Sequence, residues 1–275
     1  MIKDIIVNLA VGKARDVAGE FAISTAALFD AHVSAVAFAY EPPIGGSVFS
    51  GLSSSIVEGW RADRKAEADK ARQAFDEGAR RAGVAADSRV ISELVAEVGP
   101  VFGALARNHD IAVLAQAKPD NDFAESRAIE SALFDSGRPV LVVPYIQTAG
   151  IRLDRVVACW DGSRNAARAI NDAMPLLQKA GRIDVVMVAH KDRRNDLRGV
   201  PITEHLARHG FNVELKSIVA PDSDAANVIL SHAADSGADL IVMGGYGHTR
   251  LREFVLGGVT REMLNAMTAP VLMSH

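Results

Sequence analysis

Several features that separate classes of protein are scarce or missing in this chain. Cysteine occurs once, at Cys159, so no disulfide can form within the chain, and this usage is typical of a reducing compartment. The most apolar early stretch, residues 17–40, contains Glu20, Asp30 and His32, and so lacks the roughly 20 continuous apolar residues of a membrane-spanning helix. No apolar leader precedes residue 9. We therefore expect a cytoplasmic protein whose fold starts at its N-terminus, with no membrane insertion.

A surplus of positive charge is also missing. The chain has 30 Lys and Arg against 34 Asp and Glu, a formal net charge of -4 and a sequence pI near 6.1. Proteins that bind nucleic acids in general show a basic surface, so this class is not expected. With 275 residues, of which 49% are hydrophobic, the chain is long enough for two domains of ordinary size.

Metal-binding patterns are not found either. The eight histidines are scattered, and only His205 and His209 have the i, i+4 spacing that puts two side chains on one helical face. A solvated helix face is the favoured interpretation of this pair, over a pair of metal ligands. We therefore expect no metal held by protein side chains.

Strands and helices are predicted to alternate along the whole chain, which is typical of an α/β fold with a parallel sheet. A duplicated pattern is visible, since residues 110–114 (DIAVL) correspond to 239–243 (DLIVM), and residues 137–143 correspond to 267–273. The sequence thus predicts two tandem domains, residues 1–146 and 152–275, joined by a short linker. The predicted strands are residues 4–9, 32–39, 87–92, 111–116, 139–144, 155–159, 183–190, 213–219, 239–243 and 270–274. The predicted helices are residues 14–29, 56–82, 99–108, 126–136, 165–179, 225–236 and 259–265.

Glycine is concentrated in one connection of the second half. Residues 243–260 read MGGYGHTRLREFVLGGVT, and a predicted helix follows Gly257 and Gly258 directly. Glycine allows backbone N–H groups to approach an anion closely, and the start of a helix attracts phosphate. The segment is neither a Walker A loop nor a GxGxxG fingerprint. It predicts a different kind of phosphate-binding loop.

This pattern resembles the ATP-binding type of the universal stress protein family. The family shows a strand followed by G-x2-G-x9-G-[ST], and Gly244, Gly247 and Gly257 take the three glycine positions. Gly258 departs from the pattern, since it replaces the Ser or Thr whose hydroxyl the family uses on the terminal phosphates; Thr260 is a candidate to compensate. The resemblance implies two Rossmann-like domains of the adenine nucleotide alpha hydrolase-like type, each with a mainly parallel five-stranded sheet flanked by helices.

The resemblance also implies where a nucleotide would bind. Asp161, in the sequence CWDGS after the first strand of the second half, takes the family's acidic position; the alternative is that Asp161 and Ser163 only cap a helix. Trp160 is either an adenine contact or a core residue, and His248 either a phosphate donor or a solvated loop residue. Cys159 is expected to be a buried, inert thiol. The implied nucleotide contacts are Cys159, Trp160, Asp161, Ala189, Met243, Gly244, Gly247, His248, Gly257, Gly258, Val259 and Thr260.

The first half lacks the corresponding signals. Residues 116–135 contain no glycine, the acidic Asp120, Asp122 and Glu125 would repel phosphate, and no acid follows the first strand at the position of Asp161. We interpret the first half as a degenerate copy that contributes structure. Residues 139–143 and 270–274 are the strands through which family members usually pair, so the two copies are expected to form a pseudo-dimer and two chains a homodimer.

The function implied is that of a stress or regulatory protein whose occupancy by an adenine nucleotide changes its stability or its choice of a protein partner. The ligand is ATP, or else ADP or AMP, and Mg²⁺ would enter only with the nucleotide. Two alternatives stay open: a slow ATPase or self-phosphorylating protein that uses Asp161 and His248, and a protein without nucleotide that acts through its surface.

Overall fold

The computed structural model describes residues 1–41, 54–118, 123–189, 199–220, 224–245 and 258–275. The chain divides into two compact units. Unit 1 comprises Met1–Ala115 and Asn121–Arg138, and unit 2 comprises Gln116–Asp120 and Pro139–His275. Each unit is an α/β structure.

Among the described residues, unit 1 contains four parallel strands in the order β3-β2-β1-β4. Residues 5–7 of β1 and 111–114 of β4 are buried, as expected for parallel strands covered on both faces. Helices α3 and α4 pack closely, since a Cβ at Gly103 would lie 2.9 Å from the carbonyl oxygen of Ser131. The elements of unit 1 are β1 (Asp4–Asn8), α1 (Val17–Phe29), β2 (His32–Glu41), α2 (Ser54–Ala82), β3 (Ala86–Leu94), α3 (Val98–Ala106), β4 (Ile111–Ala115) and α4 (Phe123–Asp135).

Unit 2 contains six strands in the order β5-β10-β9-β6-β7-β8. Neighbouring strands are parallel except β5 and β10, which pair antiparallel with Leu141 opposite Leu272. Its elements are β5 (Val140–Val143), β6 (Arg155–Cys159), α5 (Arg164–Asp172), α6 (Met174–Leu177), β7 (Arg182–Ala189), α7 (Gly199–Arg208), β8 (Val213–Val219), α8 (Ala225–Ser236), β9 (Leu240–Gly244), α9 (Gly258–Ala266) and β10 (Val271–Ser274).

The structure confirms the predicted α/β class and the pairing of the last strands of the two sequence copies. Because β5 bonds to β10, it belongs to unit 2, so the packing units differ by one strand from the five-strand copies of the sequence repeat. Gln116 also belongs to unit 2, and its side-chain amide donates to the carbonyl oxygens of Leu264 (2.8 Å) and Asn265 (3.2 Å) near the end of α9. Carbonyls in the last turn of a helix have no partner within the helix, so this contact satisfies two of them.

Two expectations about helices are wrong in detail. The predicted helix over residues 165–179 is divided at Ala173 into α5 and α6. Pro175, in the first turn of α6, has no N–H and so cannot donate the backbone hydrogen bond that would continue α5. Helix α7 was not predicted, since its first turn contains Gly199 and Pro201, which are typical of loops. The predicted loop over residues 41–55 lies largely outside the described residues.

Candidate functional site

The candidate site lies at the carboxyl ends of the parallel strands of unit 2. Strand β6 is bonded to β7 on one side and to β9 on the other, with Ala158 opposite Val242. The chain leaves β6 toward β7 and reaches β9 later on the opposite side, which makes the β6–β9 boundary a topological switch point. In open parallel sheets, ligands bind in the crevice outside such a point.

The loop after β6 is built around two side-chain contacts to the backbone. The carboxylate of Asp161 accepts a hydrogen bond from the backbone N–H of Ser163 (2.8 Å), and the Ser163 hydroxyl accepts one from the N–H of Ala166 (3.1 Å). Gly162 has φ +81°, which closes this short turn without strain. Ser163 is therefore the N-cap of α5, and Asp161 supports the turn in front of it. The side chain of Asp161 is exposed.

Cys159 and Trp160 lie at the end of β6 with different exposures. Burial, together with the nearby negative charge of Asp161, raises the pKa of the Cys159 thiol to about 12. The expected buried thiol is confirmed, and it stays protonated at neutral pH, so it is not a nucleophile. Trp160 is half-buried, and its backbone N–H donates to the carbonyl oxygen of Val186 (2.9 Å). Ala189, at the end of β7, is buried.

Gly244, the last residue of β9, has a packing role. A Cβ there would lie 2.6 Å from the backbone nitrogen of Ala166 and 2.7 Å from the carbonyl carbon of Asn165. The end of β9 thus contacts the first turn of α5 so closely that only glycine fits. Met243, one residue earlier, is buried. The spacing of glycines in the sequence did not reveal that this one is required by a backbone contact.

Asn165 is a residue of the site region that the sequence analysis missed. Its side chain is buried, with 4% exposed, and its Nδ2 donates to the carbonyl oxygen of Gly245 (2.6 Å) and lies 2.9 Å from Nδ1 of His275. The N–H of Gly245 donates to the carbonyl oxygen of Ser274 (2.8 Å). A weak signal was present in the sequence, since Asn165 comes two residues after the CWDGS turn, but a lone Asn at a helix start is ordinary.

The start of α9 carries the last group of predicted contacts. Gly258 is its first residue; it is exposed, and a Cβ there would meet no atom of the described residues within 4 Å. Val259 is half-buried, and Thr260 is buried with 4% exposed. The glycine at position 258 is therefore not required by packing, in contrast to Gly244. The predicted contacts Gly247, His248 and Gly257 lie outside the described residues.

The corresponding edge of unit 1 is built differently. Lys13, in the loop after β1, lies 3.9 Å from the carboxylate of Glu125 in the first turn of α4. Asp16 caps α1 by accepting a hydrogen bond from the N–H of Gly19 (3.0 Å), and burial of its carboxylate raises its pKa to about 6. Acidic side chains thus take part in contacts within unit 1 near the starts of both helices.

Groups of metal ligands and membrane-spanning helices are both absent from the described ranges. Those ranges contain no group of three or more His, Cys, Asp or Glu residues arranged to hold a metal ion. The His205 and His209 rings contact each other edge to face, with centroids 4.8 Å apart. No helix among the described residues is long and apolar enough to span a membrane.

Fold and site together define an α/β protein of the Rossmann-like class, with its candidate site at a switch point. Residues 152–275 match the model of the universal stress protein family. The match covers the second half of the chain, the half in which the glycine spacing resembles that family. The chain is 25% identical to the universal stress protein Slr1230 of Synechocystis sp. over 175 residues, which are 61% of this chain and 58% of that protein. It is also 27% identical to the universal stress protein YxiE of Bacillus subtilis over 145 residues, 44% of this chain and 97% of that protein.

A solved structure extends the likeness to nearly the whole chain. A universal stress protein from Archaeoglobus fulgidus superposes with a TM-score of 0.70 at 16% identity, covering 98% of this chain and 95% of that one. At this identity the likeness establishes the fold. The Rossmann-like character predicted from the sequence is thereby confirmed.

Proposed function

We propose that the second half of this chain binds one adenine nucleotide, with the nucleotide acting as a regulatory ligand in a cytoplasmic stress protein. The observation that carries the proposal is the meeting of the Asp161 loop and the end of β9 at the β6–β9 switch point. The glycine spacing of Gly244, Gly247 and Gly257 supports the same site from the sequence. ATP is the ligand we expect, with ADP or AMP as alternatives.

The described residues fit such a ligand. The exposed carboxylate of Asp161 can accept hydrogen bonds from ribose hydroxyls or the adenine amine. The first residues of α9, Gly258, Val259 and Thr260, lie at the positive end of the helix dipole, which favours a phosphate there. No side chain at Gly258 blocks that approach.

The proposal extends to organisation and partners. We infer that the chain is a tandem protein, with a degenerate first copy in residues 1–146 and a nucleotide-binding copy in residues 152–275. Antiparallel pairing of β5 with β10 supports the pseudo-dimer. Mg²⁺ would be held by the phosphates of the nucleotide. A homodimer of tandem chains and a regulatory protein partner complete the proposal.

The test is to identify and count the nucleotide. Freshly purified protein is denatured, and the released small molecules are measured by chromatography and mass spectrometry, followed by titration of stripped protein with ATP, ADP and AMP. We expect close to one adenine nucleotide per chain, lost in Gly247→Val and Gly257→Val variants that still fold. Two equivalent sites per chain, or no release together with no effect of ATP on the melting temperature, would refute the proposal.

A further inference from the structure

One buried side chain connects the two loops that border the candidate site. Asn165 is the second residue of α5, directly after the N-cap Ser163 and its neighbour Arg164. Its Nδ2 donates to the carbonyl oxygen of Gly245, 2.6 Å away, which is the first residue after β9. The start of α5 and the end of β9 are thereby tied through a side-chain hydrogen bond between residues 80 positions apart in the chain.

Backbone packing supports the same connection. The absent side chain of Gly244 lets β9 approach the carbonyl carbon of Asn165, since a Cβ at Gly244 would lie only 2.7 Å from it. The N–H of Gly245 donates to Ser274 at the end of β10. Gly245 is thus hydrogen-bonded to α5 through its carbonyl oxygen and to β10 through its N–H.

His275 also contacts this arrangement. Its Nδ1 lies 2.9 Å from Nδ2 of Asn165 and 3.3 Å from the carbonyl oxygen of Gly245. Since the Asn amide group has two N–H bonds, one can point to Gly245 and the other to His275. For Nδ1 to accept this bond, the imidazole carries its proton on Nε2.

We propose that Asn165 is a positioning residue for the nucleotide site. It holds Gly245, the first residue after β9, at a fixed place relative to the Asp161 turn, so that this edge of the site is ordered before the ligand arrives. Pre-ordered groups reduce the entropy lost on binding, which raises affinity. The effect on affinity rests on the proposed nucleotide function, whereas the effect on the backbone does not.

The first measurement is hydrogen exchange without nucleotide, on the full chain. Asn165→Ala removes the donor to Gly245, and we expect at least tenfold faster exchange in the peptide that contains Gly244 and Gly245. Asn212→Ala is the matched control, since Asn212 donates to the carbonyl oxygen of Gly181 at 3.2 Å in another loop. Unchanged protection of the Gly244 peptide in the Asn165 variant would overturn the proposal. If Asn165→Ala fails to fold, Asn165→Asp keeps the shape and still removes the donor.

The second measurement is ATP affinity by calorimetry, with the melting temperature recorded for every variant. We expect Asn165→Ala to weaken ATP binding by about tenfold, as for loss of one well-placed hydrogen bond, while Asn212→Ala binds as the parent does. His275→Ala should weaken binding less, and His275→Asn should restore it, because Asn Oδ1 is an acceptor at the same distance from the backbone as Nδ1. Parent-like ATP affinity in Asn165→Ala would refute the positioning role. If the parent protein binds no adenine nucleotide, the proposed function is refuted. The hydrogen-exchange data would then still test whether Asn165 fixes the backbone at Gly245.

Discussion

At the residue scale, the described glycines Gly244 and Gly258 differ in their surroundings, the first matching the family pattern and the second departing from it. Gly244 is fixed by contact with the backbone of Asn165 and Ala166, whereas Gly258 has open space where a side chain would be. The sequence alone does not distinguish these two glycines. Only the distances to neighbouring atoms separate a glycine needed for packing from one that is not.

This contrast gives a paired prediction. Gly244→Ala should lower the free energy of unfolding by about 1–3 kcal/mol, because a Cβ placed 2.6 Å from the Ala166 nitrogen forces β9 away from α5. Gly258→Ala should not lower it, since nothing lies within 4 Å and Ala is the better helix former. Urea denaturation of both variants measures the difference. Equal destabilisation of the two would mean that the close approach at Gly244 is not maintained in solution.

Polar side chains missed by the sequence analysis belong to the same scale. Asn165 and His275 were not singled out because each is a common residue type in an ordinary place. Their importance comes from the 2.6 and 2.9 Å contacts that join residues far apart in the chain. Spacing rules read local patterns, so contacts between such distant residues escape them.

Most helices and strands follow directly from local pattern. Strand β6 was predicted with its observed bounds, and α2 within two residues at its start, because long periodic segments and buried β-branched runs are strong signals. Helix α7 and the break at Ala173 were missed, since Gly and Pro near helix starts are compatible with both loops and first turns.

The cap of helix α1 gives a prediction of pH dependence. The pKa of Asp16 is raised from 3.8 to about 6, chiefly by burial, so the folded state binds this proton more tightly than the unfolded state. The associated stability is therefore present below about pH 4 and is lost as the pH rises through about 6. Asp16→Asn keeps the capping oxygen and removes the buried charge. The variant should gain about 1 kcal/mol relative to the parent between pH 4 and pH 7.

Urea denaturation at pH 4, 5, 6 and 7 measures this difference. Asp224→Asn is a suitable control, because Asp224 is also an N-cap residue but makes no side-chain capping bond to α8. A difference between Asp16→Asn and the parent that does not change with pH would show that the carboxylate of Asp16 titrates alike in the folded and unfolded states.

On the scale of the whole molecule, the sequence repeat and the packing units do not coincide. Strand β5 ends the first sequence copy, yet it bonds to β10 in unit 2. Without β5, the buried residues Val271, Leu272 and Met273 of β10 would have no strand partner on that edge. An exposed apolar strand edge favours association between chains.

A comparison of fragments tests this point. A fragment of residues 152–275, cut at the family match, should self-associate and unfold at lower urea concentration than a fragment of residues 139–275, which keeps β5. Sedimentation and urea denaturation measure both properties. Val142→Pro in the longer fragment is the control, because proline cannot donate to the strand ladder and should make it behave like the shorter one. Equal behaviour of the two unmodified fragments would contradict a stabilising role of β5.

The sequence by itself determined the alternation of strands and helices and the likeness of the second half to a known family, and it predicted a duplication and the neighbourhood of the candidate site. Those features depend on local periodicity and on short motifs, which involve residues close together in the sequence. The tertiary structure decided which unit receives β5, why Gly244 must be glycine, that Ser163 is the cap beside Asp161, and that Asn165 joins the two loops. These depend on distances between residues that are remote in sequence, and such distances exist only once the sheet has formed.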